Sequence, residues 1–146
     1  MAIGDRNDPF PHSNFRVEID GLTVASFSEV SGLVAEGGSI DYREGTDRTN
    51  TVRKLMGLQT YTPIVLKRGS TQNKELWTWF LNIVNGARDR RNGSIILMDE
   101  ARNDVLRWNF VNAWPTKIEG PSLNAANNEV AMESMELVHE GLAIEL

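Results

Sequence analysis

Short segments of alternating polar and apolar residues, separated by Gly, Pro, Asn and Asp, recur along this chain of 146 residues. The clearest is "FRVEI" (15–19), in which the first, third and fifth residues are apolar. A period of two is typical of a half-buried β-strand. Asp20 and Gly21 follow it and suit a two-residue hairpin turn, so we expect a second strand to return through Val24 and Phe27.

Further strand segments follow at short intervals. Strands are predicted at Ser39 to Tyr42, over "YTPIVLKRG" up to Gly69, on both sides of a polar turn from Asp99 to Asp104, near Trp114 to Ile118, and from about Asn128 onward. In the last strand the apolar positions shift by one residue between Met132 and Met135, which indicates a β-bulge. These short strands predict a mainly β protein, a barrel or sandwich of about seven or eight antiparallel strands with one flanking α-helix.

The flanking helix is predicted within "STQNKELWTWFLNIVNG" (70–86). Its apolar stripe is predicted to comprise Leu76, Trp77, Phe80, Ile83 and Val84. Ser70 or Thr71 can cap the start of the helix, and Gly86 can end it. Trp79 points away from this stripe, so we expect it to lie exposed on a contact surface.

Residues that carry catalytic or metal chemistry are scarce. The chain has no cysteine, which excludes disulfides, thiolate nucleophiles and Cys-ligated metal sites. Its two histidines, His12 and His139, lie at opposite ends of the sequence and lack the spacing of a zinc site. No phosphate-binding loop or nucleophile elbow is found. We therefore predict no catalytic residues, no cofactor and no metal, in a protein that is not an enzyme.

Charge and hydropathy limit the partners further. The net charge of −5 argues against a general nucleic-acid binder, which is usually basic. No apolar run approaches the roughly 18 residues that span a bilayer, and residues 1–15 lack the apolar core of a secretory signal. We expect a single domain over residues 1–146, made in the cytoplasm without a signal peptide and without a membrane anchor.

Two stretches lack any regular apolar pattern, namely an N-terminal arm of residues 1–13 and a long loop from Arg43 to Leu58. Long loops in compact domains are often functional. The loop is locally basic, whereas the last 18 residues carry five glutamates and no Lys or Arg. Candidate contacts between subunits or rings are Arg43, Arg48, Arg53, Lys54 and Phe10. Candidate acidic residues of a lumen or interface are Glu129, Glu133 and Glu136.

The order of several motifs resembles one protein family. These motifs are "NFRVEIDGL" (14–22), "FSEVSGL" (27–33), "YREGTD" (42–47), "RKLMGLQTYTPIVLKRG" (53–69), "LWTWF" (76–80) and "WNFVNAWPTKIEGPSLNAANNEVAMESMELVHEGL" (108–142). Together they cover nearly the whole chain and are similar to the tail-tube proteins of contractile-tailed phages and of phage-tail-like contractile injection particles. Met56 departs from the family pattern, which often has Pro in a Lys-Leu-Pro-Gly turn at this place.

The resemblance implies a fold like that of the type VI secretion tube, and hexameric rings that stack into a hollow tube inside a contractile sheath. The implied partners are further copies of the chain, the sheath protein, a baseplate or initiator protein and a tail terminator, with DNA or protein as cargo in the lumen. The resemblance leaves open whether the particle is a phage, a bacteriocin or an injection system. It implies that the protein is a component of an assembled tail or particle that can be released from the cell. The arm 1–13 and the segment 43–58 would contact the adjacent ring.

Two other functions remain open from the sequence. A tube-initiator paralogue, which forms only the first ring at the baseplate, shares the same motifs. A monomeric ligand-binding β-sandwich would use Trp79 and Trp114 as stacking groups.

Overall fold

The computed structural model describes residues 14–20, 27–46, 48, 50–70, 72–126 and 129–145. Within them lie nine strands and one helix. In chain order these are β1 (Phe15–Ile19), β2 (Glu29–Ser31), β3 (Ala35–Tyr42), β4 (Arg53–Tyr61), β5 (Ile64–Gly69), α1 (Glu75–Val84), β6 (Arg91–Met98), β7 (Asp104–Glu119), β8 (Met132–Val138) and β9 (Gly141–Ile144). The mainly β class with one flanking helix, predicted from the alternating segments, is confirmed.

The body of the molecule is one antiparallel sheet in the strand order β1–β6–β7–β8–β5–β2, and β9 also pairs with β7. Strand β7, of 16 residues, is shared by two halves of the sheet. Its first part pairs with β6 and β9, and its last part pairs with β8. Between them Asn112 takes a positive φ of 53°. The predicted short strand at Trp114 to Ile118 is thus the continuation of the strand before it.

The core lies between the two halves of this sheet. It comprises Val17, Ile19, Ile64, Leu66, Leu76, Trp79, Ile95, Phe110, Ala113, Met135 and Leu137. Alternate residues of β1, β5 and β8 point into it, as a period of two requires. Helix α1 closes the core through Leu76 and Trp79.

The helix presents a different face to the core from the one we predicted. Trp79 is fully buried, its Nε1 donates a hydrogen bond of 2.7 Å to the backbone oxygen of Asp89, and the Arg91 guanidinium lies 4.8 Å from its ring centre. Trp77 and Val84, which we placed in the core, are 37% and 62% exposed. The true stripe contains residues 76, 79, 80 and 83, which follow the i, i+3, i+4, i+7 spacing of an amphipathic helix.

The helix ends agree with the sequence in part. The helix begins at Glu75, later than a cap at Ser70 would give, and the side-chain oxygen of Asn73 accepts a hydrogen bond of 2.9 Å from the Glu75 amide. Thr71 lies outside the described residues. Gly86 follows the C-cap residue Asn85 and has a φ of +93°, as expected of a glycine that ends a helix.

The predicted bulge in the last long strand is wrong. Strand β8 begins at Met132, which is 40% exposed, and pairs with β5 without a register shift. Its inward residues are Glu133, Met135 and Leu137, so the charged Glu133 replaces an apolar residue in the inward phase. The irregularity lies on the neighbouring strand, where Thr116 is extra between two β7–β8 pairs. The predicted turn at Gly21 and the strand through Val24 fall outside the described residues.

Candidate assembly interface

Strands β3 and β4 form a separate two-stranded hairpin beside the body. All eight residues of β3 are exposed, and in β4 only Gly57 and Tyr61 are partly covered. We expected a loop over Arg43 to Leu58, but residues from Arg53 onward belong to β4. The reason is that apolar residues occupy both faces of the hairpin, so the sequence shows no alternation.

The exposed apolar side chains of this hairpin are its most informative feature. Met56 and Leu58 are 87% and 86% exposed, and Ile40 and Leu55, which lie opposite each other across the two strands, are about half exposed. A two-stranded hairpin without a packing partner is marginally stable in water at best. Exposed apolar side chains concentrated on one projecting element are typical of a protein–protein interface.

The base of the hairpin is fixed to the body. The two ring nitrogens of His139 lie 3.1 Å from the backbone oxygen of Gly141 and 3.2 Å from that of Thr62, which follows β4 directly. On the other side, Gly32 has a φ of +90°, and a Cβ atom there would lie 2.1 Å from the backbone oxygen of Pro63. Only glycine fits this approach. The hairpin therefore leaves the body from a defined position.

The basic candidates lie on this hairpin or on the turn at its tip. Arg43, Arg48, Arg53 and Lys54 are all exposed. Lys54 forms an ion pair with Asp41 across the two strands. Phe10 lies outside the described residues. The structure thus brings the four basic residues together on one projecting element, as the sequence spacing suggests.

The three acidic candidates take three different environments. Glu129 is exposed, before β8. Glu136 lies on the outer face of the sheet, in register with Lys117. Glu133 is only 7% exposed, and its Oε1 accepts a hydrogen bond of 2.5 Å from Nε of the equally buried Arg68. The expectation for Glu133 is wrong, because a buried and paired carboxylate cannot line a channel.

The outer face of β2, β5, β8 and the end of β7 is charged and mixed in sign. Lys67 lies 3.7 Å from Glu29, and Lys117 lies 2.6 Å from Glu119. The hydrogen bond from Lys117 holds the pKa of the Glu119 carboxyl below its usual range, and the same contact raises the pKa of Lys117. With Glu136, these residues place charged groups of both signs on this face of the sheet.

Sequence reasoning missed an apolar stripe on the outer face of α1. Trp77, Leu81 and Val84 are exposed and follow one another at intervals of four and three residues. The signal was present in the sequence, because seven of the ten helix residues are apolar and form two stripes, either of which could face the core. Only burial distinguishes the two.

The described residues include an apolar cleft of about 300 Å³, whose lining contains Phe15, Val30, Leu33, Ile95, Leu97 and Trp108. No group of three His, Asp or Glu side chains among them could hold a metal ion, and no helix in the described part of the chain is long and apolar enough to cross a membrane. Trp79, proposed as a stacking group for a ligand, is in the core. Trp114 is partly buried and borders a shallow cleft of about 170 Å³.

Comparisons with known proteins agree with this geometry. The sequence model of the T4-like virus tail tube protein gp19 family matches residues 11–143. No curated protein sequence matches the chain significantly.

Solved structures of contractile injection systems also contain similar chains. A chain in the cryo-EM structure of an extracellular contractile injection system, the PVC sheath–tube complex in extended state, has a TM-score of 0.81 at 26% identity, covering 95% of this chain and 93% of that chain. A chain in the cryo-EM structure of the anti-feeding prophage cap, a tube-terminating cap, has a TM-score of 0.80 at 26% identity over 99% of both chains.

More distant structures share the fold alone. Hcp1 from Flavobacterium johnsoniae has a TM-score of 0.51 at 13% identity, covering 88% of this chain and 93% of that chain. The family model matches the chain over nearly its whole length. The mainly β fold is consistent with this match. The chain belongs to the T4-like virus tail tube protein gp19 family.

Proposed function

We propose that the chain assembles into hexameric rings, which stack into the hollow inner tube of a contractile tail or injection particle. The observation that carries this proposal is the β3–β4 hairpin. Its residues Met56 and Leu58 are almost fully exposed in the single subunit. Packing against a neighbouring copy removes this surface from water, which stabilises the assembly by about 1.5–3 kcal/mol for each apolar side chain that becomes fully buried.

The charged outer face of the sheet supports a role as the lining of the channel. In this arrangement Glu136 and the ion pairs of Lys67 and Lys117 face the lumen. Charged groups of both signs favour a hydrated surface, and exposed carboxylates repel a polyanion such as DNA.

The similar structures suggest the partners of such a tube. They come from a sheath–tube complex and from a tube-terminating cap. We accordingly infer that this tube is surrounded by a sheath protein, starts on a baseplate or initiator protein and is closed by a terminator. In this role the protein has a structural function and no enzymatic one.

Electron microscopy of the purified protein tests the proposal. We expect rings or tubes of uniform diameter with sixfold symmetry in negative stain. A protein that stays monomeric from micromolar to millimolar concentration would refute it. A tube-initiator protein, the alternative within this family, forms single rings that do not elongate when more subunits are added.

The basic residues of the hairpin give a second test. We expect Arg48→Glu together with Arg53→Glu to leave the subunit folded, because both side chains are exposed, and to impair tube growth. Salt weakens exposed charge contacts, so wild-type tubes should also grow more slowly at high ionic strength. Lys74→Glu with Arg88→Glu, which changes the net charge equally at exposed positions beside α1, is the matched control. If both double variants form tubes of equal length, the basic residues of the hairpin do not contribute to the interface.

A further inference from the structure

The chain contains two Asn-Gly pairs, Asn85–Gly86 and Asn92–Gly93. An asparagine side chain can react with the backbone nitrogen of the residue that follows it, because the attack closes a five-membered ring. Glycine favours this reaction, since it has no Cβ atom to obstruct the ring and its backbone turns freely. Both asparagines are exposed, so access to water does not distinguish the two pairs. The difference between them lies in what holds the backbone of each pair.

The first pair forms the end of α1. Asn85 is the C-cap residue, and Gly86 follows it with a φ of +93°. The Gly86 amide donates to the backbone oxygen of Ile83 at 3.1 Å, and the Ala87 amide donates to that of Asn82 at 2.9 Å. These two bonds are the pattern that closes a helix before a left-handed glycine. A Cβ atom built on Gly86 would meet no atom of the described chain within 4 Å, so this turn is open to solvent on that side.

Opening this turn disrupts only the last turn of a helix at the surface. Helix ends fray at little free-energy cost, whereas central strands open only together with much of the fold. Once the turn opens, the Gly86 amide leaves the Ile83 oxygen and can approach the side chain of Asn85. The reaction at the first pair therefore needs no unfolding of the core.

The second pair lies inside the sheet. Gly93 is on β6, which pairs with β1 on one side and with β7 on the other. A Cβ atom at Gly93 would lie 2.4 Å from a ring carbon of Phe110, so the strand is tightly packed here. The backbone oxygen of Asn92 accepts from the Asp20 amide, and its Oδ1 accepts from the Asn112 amide, each at 3.0 Å. The reaction at this pair requires β6 to separate from its neighbours.

We propose that Asn85 deamidates spontaneously in the folded protein and that the sheet protects Asn92 from the same reaction. The deprotonated nitrogen of Gly86 attacks Cγ of Asn85, the bond from Cγ to the side-chain nitrogen breaks, and ammonia leaves with a proton from water. The product is a cyclic succinimide. Water then adds to one of its two carbonyl carbons and opens the ring to aspartate or to isoaspartate. One water is consumed and one ammonia is released, so no oxidant or reductant is required.

The modification changes the charge at a defined place on the surface. A carboxylate at the C-terminal end of a helix is unfavourable, because the last carbonyl oxygens already carry partial negative charge. The new charge also borders the exposed stripe of Trp77, Leu81 and Val84, since Val84 directly precedes Asn85. The isoaspartate product in addition lengthens the backbone by one carbon, which disturbs the two hydrogen bonds that close the helix.

Peptide mapping of the aged protein tests the proposal. The purified protein is kept folded in mildly alkaline buffer for several days and is then digested by a protease that cleaves after lysine. No lysine lies between Lys74 and Lys117, so one peptide contains both pairs and both experience the same treatment. Deamidation raises the mass by the difference between a hydroxyl and an amino group, and fragmentation in the mass spectrometer assigns it to Asn85 or Asn92. We expect Asn85 to convert at least about tenfold faster than Asn92.

Two controls attribute the difference to the fold. In guanidinium chloride the chain is unfolded, so both pairs should convert at similar rates. The variant Asn85→Gln should lose the modification at this position, because the longer side chain would have to close a less favourable six-membered ring. The proposal is overturned if Asn92 converts as fast as Asn85 in the folded protein. It is also overturned if Asn85 in the folded protein stays intact while the unfolded chain reacts.

Discussion

The buried ion pair between Arg68 and Glu133 offers the sharpest test of the fold. These residues lie directly opposite each other on β5 and β8, and their side chains are 5% and 7% exposed. The Arg68 guanidinium also donates from Nη2 to the backbone oxygen of Asn73, at 3.1 Å, and lies 6.0 Å from the ring centre of Phe27. The pair therefore ties the central sheet to the segment that leads into α1.

Removing one partner leaves the other charge buried without compensation. We expect Glu133→Ala to reduce the free energy of unfolding by about 3–5 kcal/mol, the usual cost of breaking a buried pair. For a chain of this length, that loss corresponds to a fall in Tm of roughly 10–15 °C. Replacing both residues by apolar ones, as Arg68→Met with Glu133→Leu, removes both charges and should cost much less than either single change.

Urea unfolding followed by circular dichroism measures these differences. The proposed assembly would raise the apparent stability by mass action. The measurements therefore use a background variant such as Leu58→Asp, which is designed to weaken that assembly. If Glu133→Ala unfolds within about 1 kcal/mol of the parent, the side chain is solvated as an exposed pair would be. The burial of this pair would then be refuted.

Three further changes test particular contacts. Trp79→Ala should lower the unfolding free energy by about 3–5 kcal/mol, whereas the same change at the exposed Trp77 should cost much less in the same urea titration. The hydrogen bond from Arg91 lowers the pKa of Asp89 in the folded protein. The ionised carboxylate therefore stabilises the fold at pH values above the pKa that Asp89 has in the unfolded chain. This stabilisation is lost as the pH falls through the lower pKa of the folded state. Asp89→Asn should therefore flatten the dependence of stability on pH below about 4, and an unchanged acid-unfolding curve would contradict this. Gly32→Ala should destabilise strongly, since its Cβ would overlap a backbone oxygen; a wild-type melting temperature would show that the hairpin base can shift.

The sequence by itself determined the local elements and the family. Alternation in "FRVEI" located β1, and the polar turn after Met98 located the hairpin of β6 and β7. The presence of one helix and its end at Gly86 also followed from the chain. These features depend on the spacing of neighbouring residues and on φ preferences, which are properties of short segments. The family resemblance rested on the order of motifs, which needs no structure.

The tertiary structure alone decided which faces are buried. The helix has two possible apolar stripes, and packing against the sheet buries the one that contains Trp79. In the sequence Glu133 is one of two glutamates in its strand, and only its ion pair with Arg68, 65 positions earlier, makes its burial tolerable. The β3–β4 hairpin has no buried face within the chain, so the sequence indicated only the second half of β3, at Ser39 to Tyr42, and did not indicate the first half of β4. Burial is determined by contacts between residues that are distant in the chain. The apolar pattern of a segment shows which faces could be buried, but not which one is.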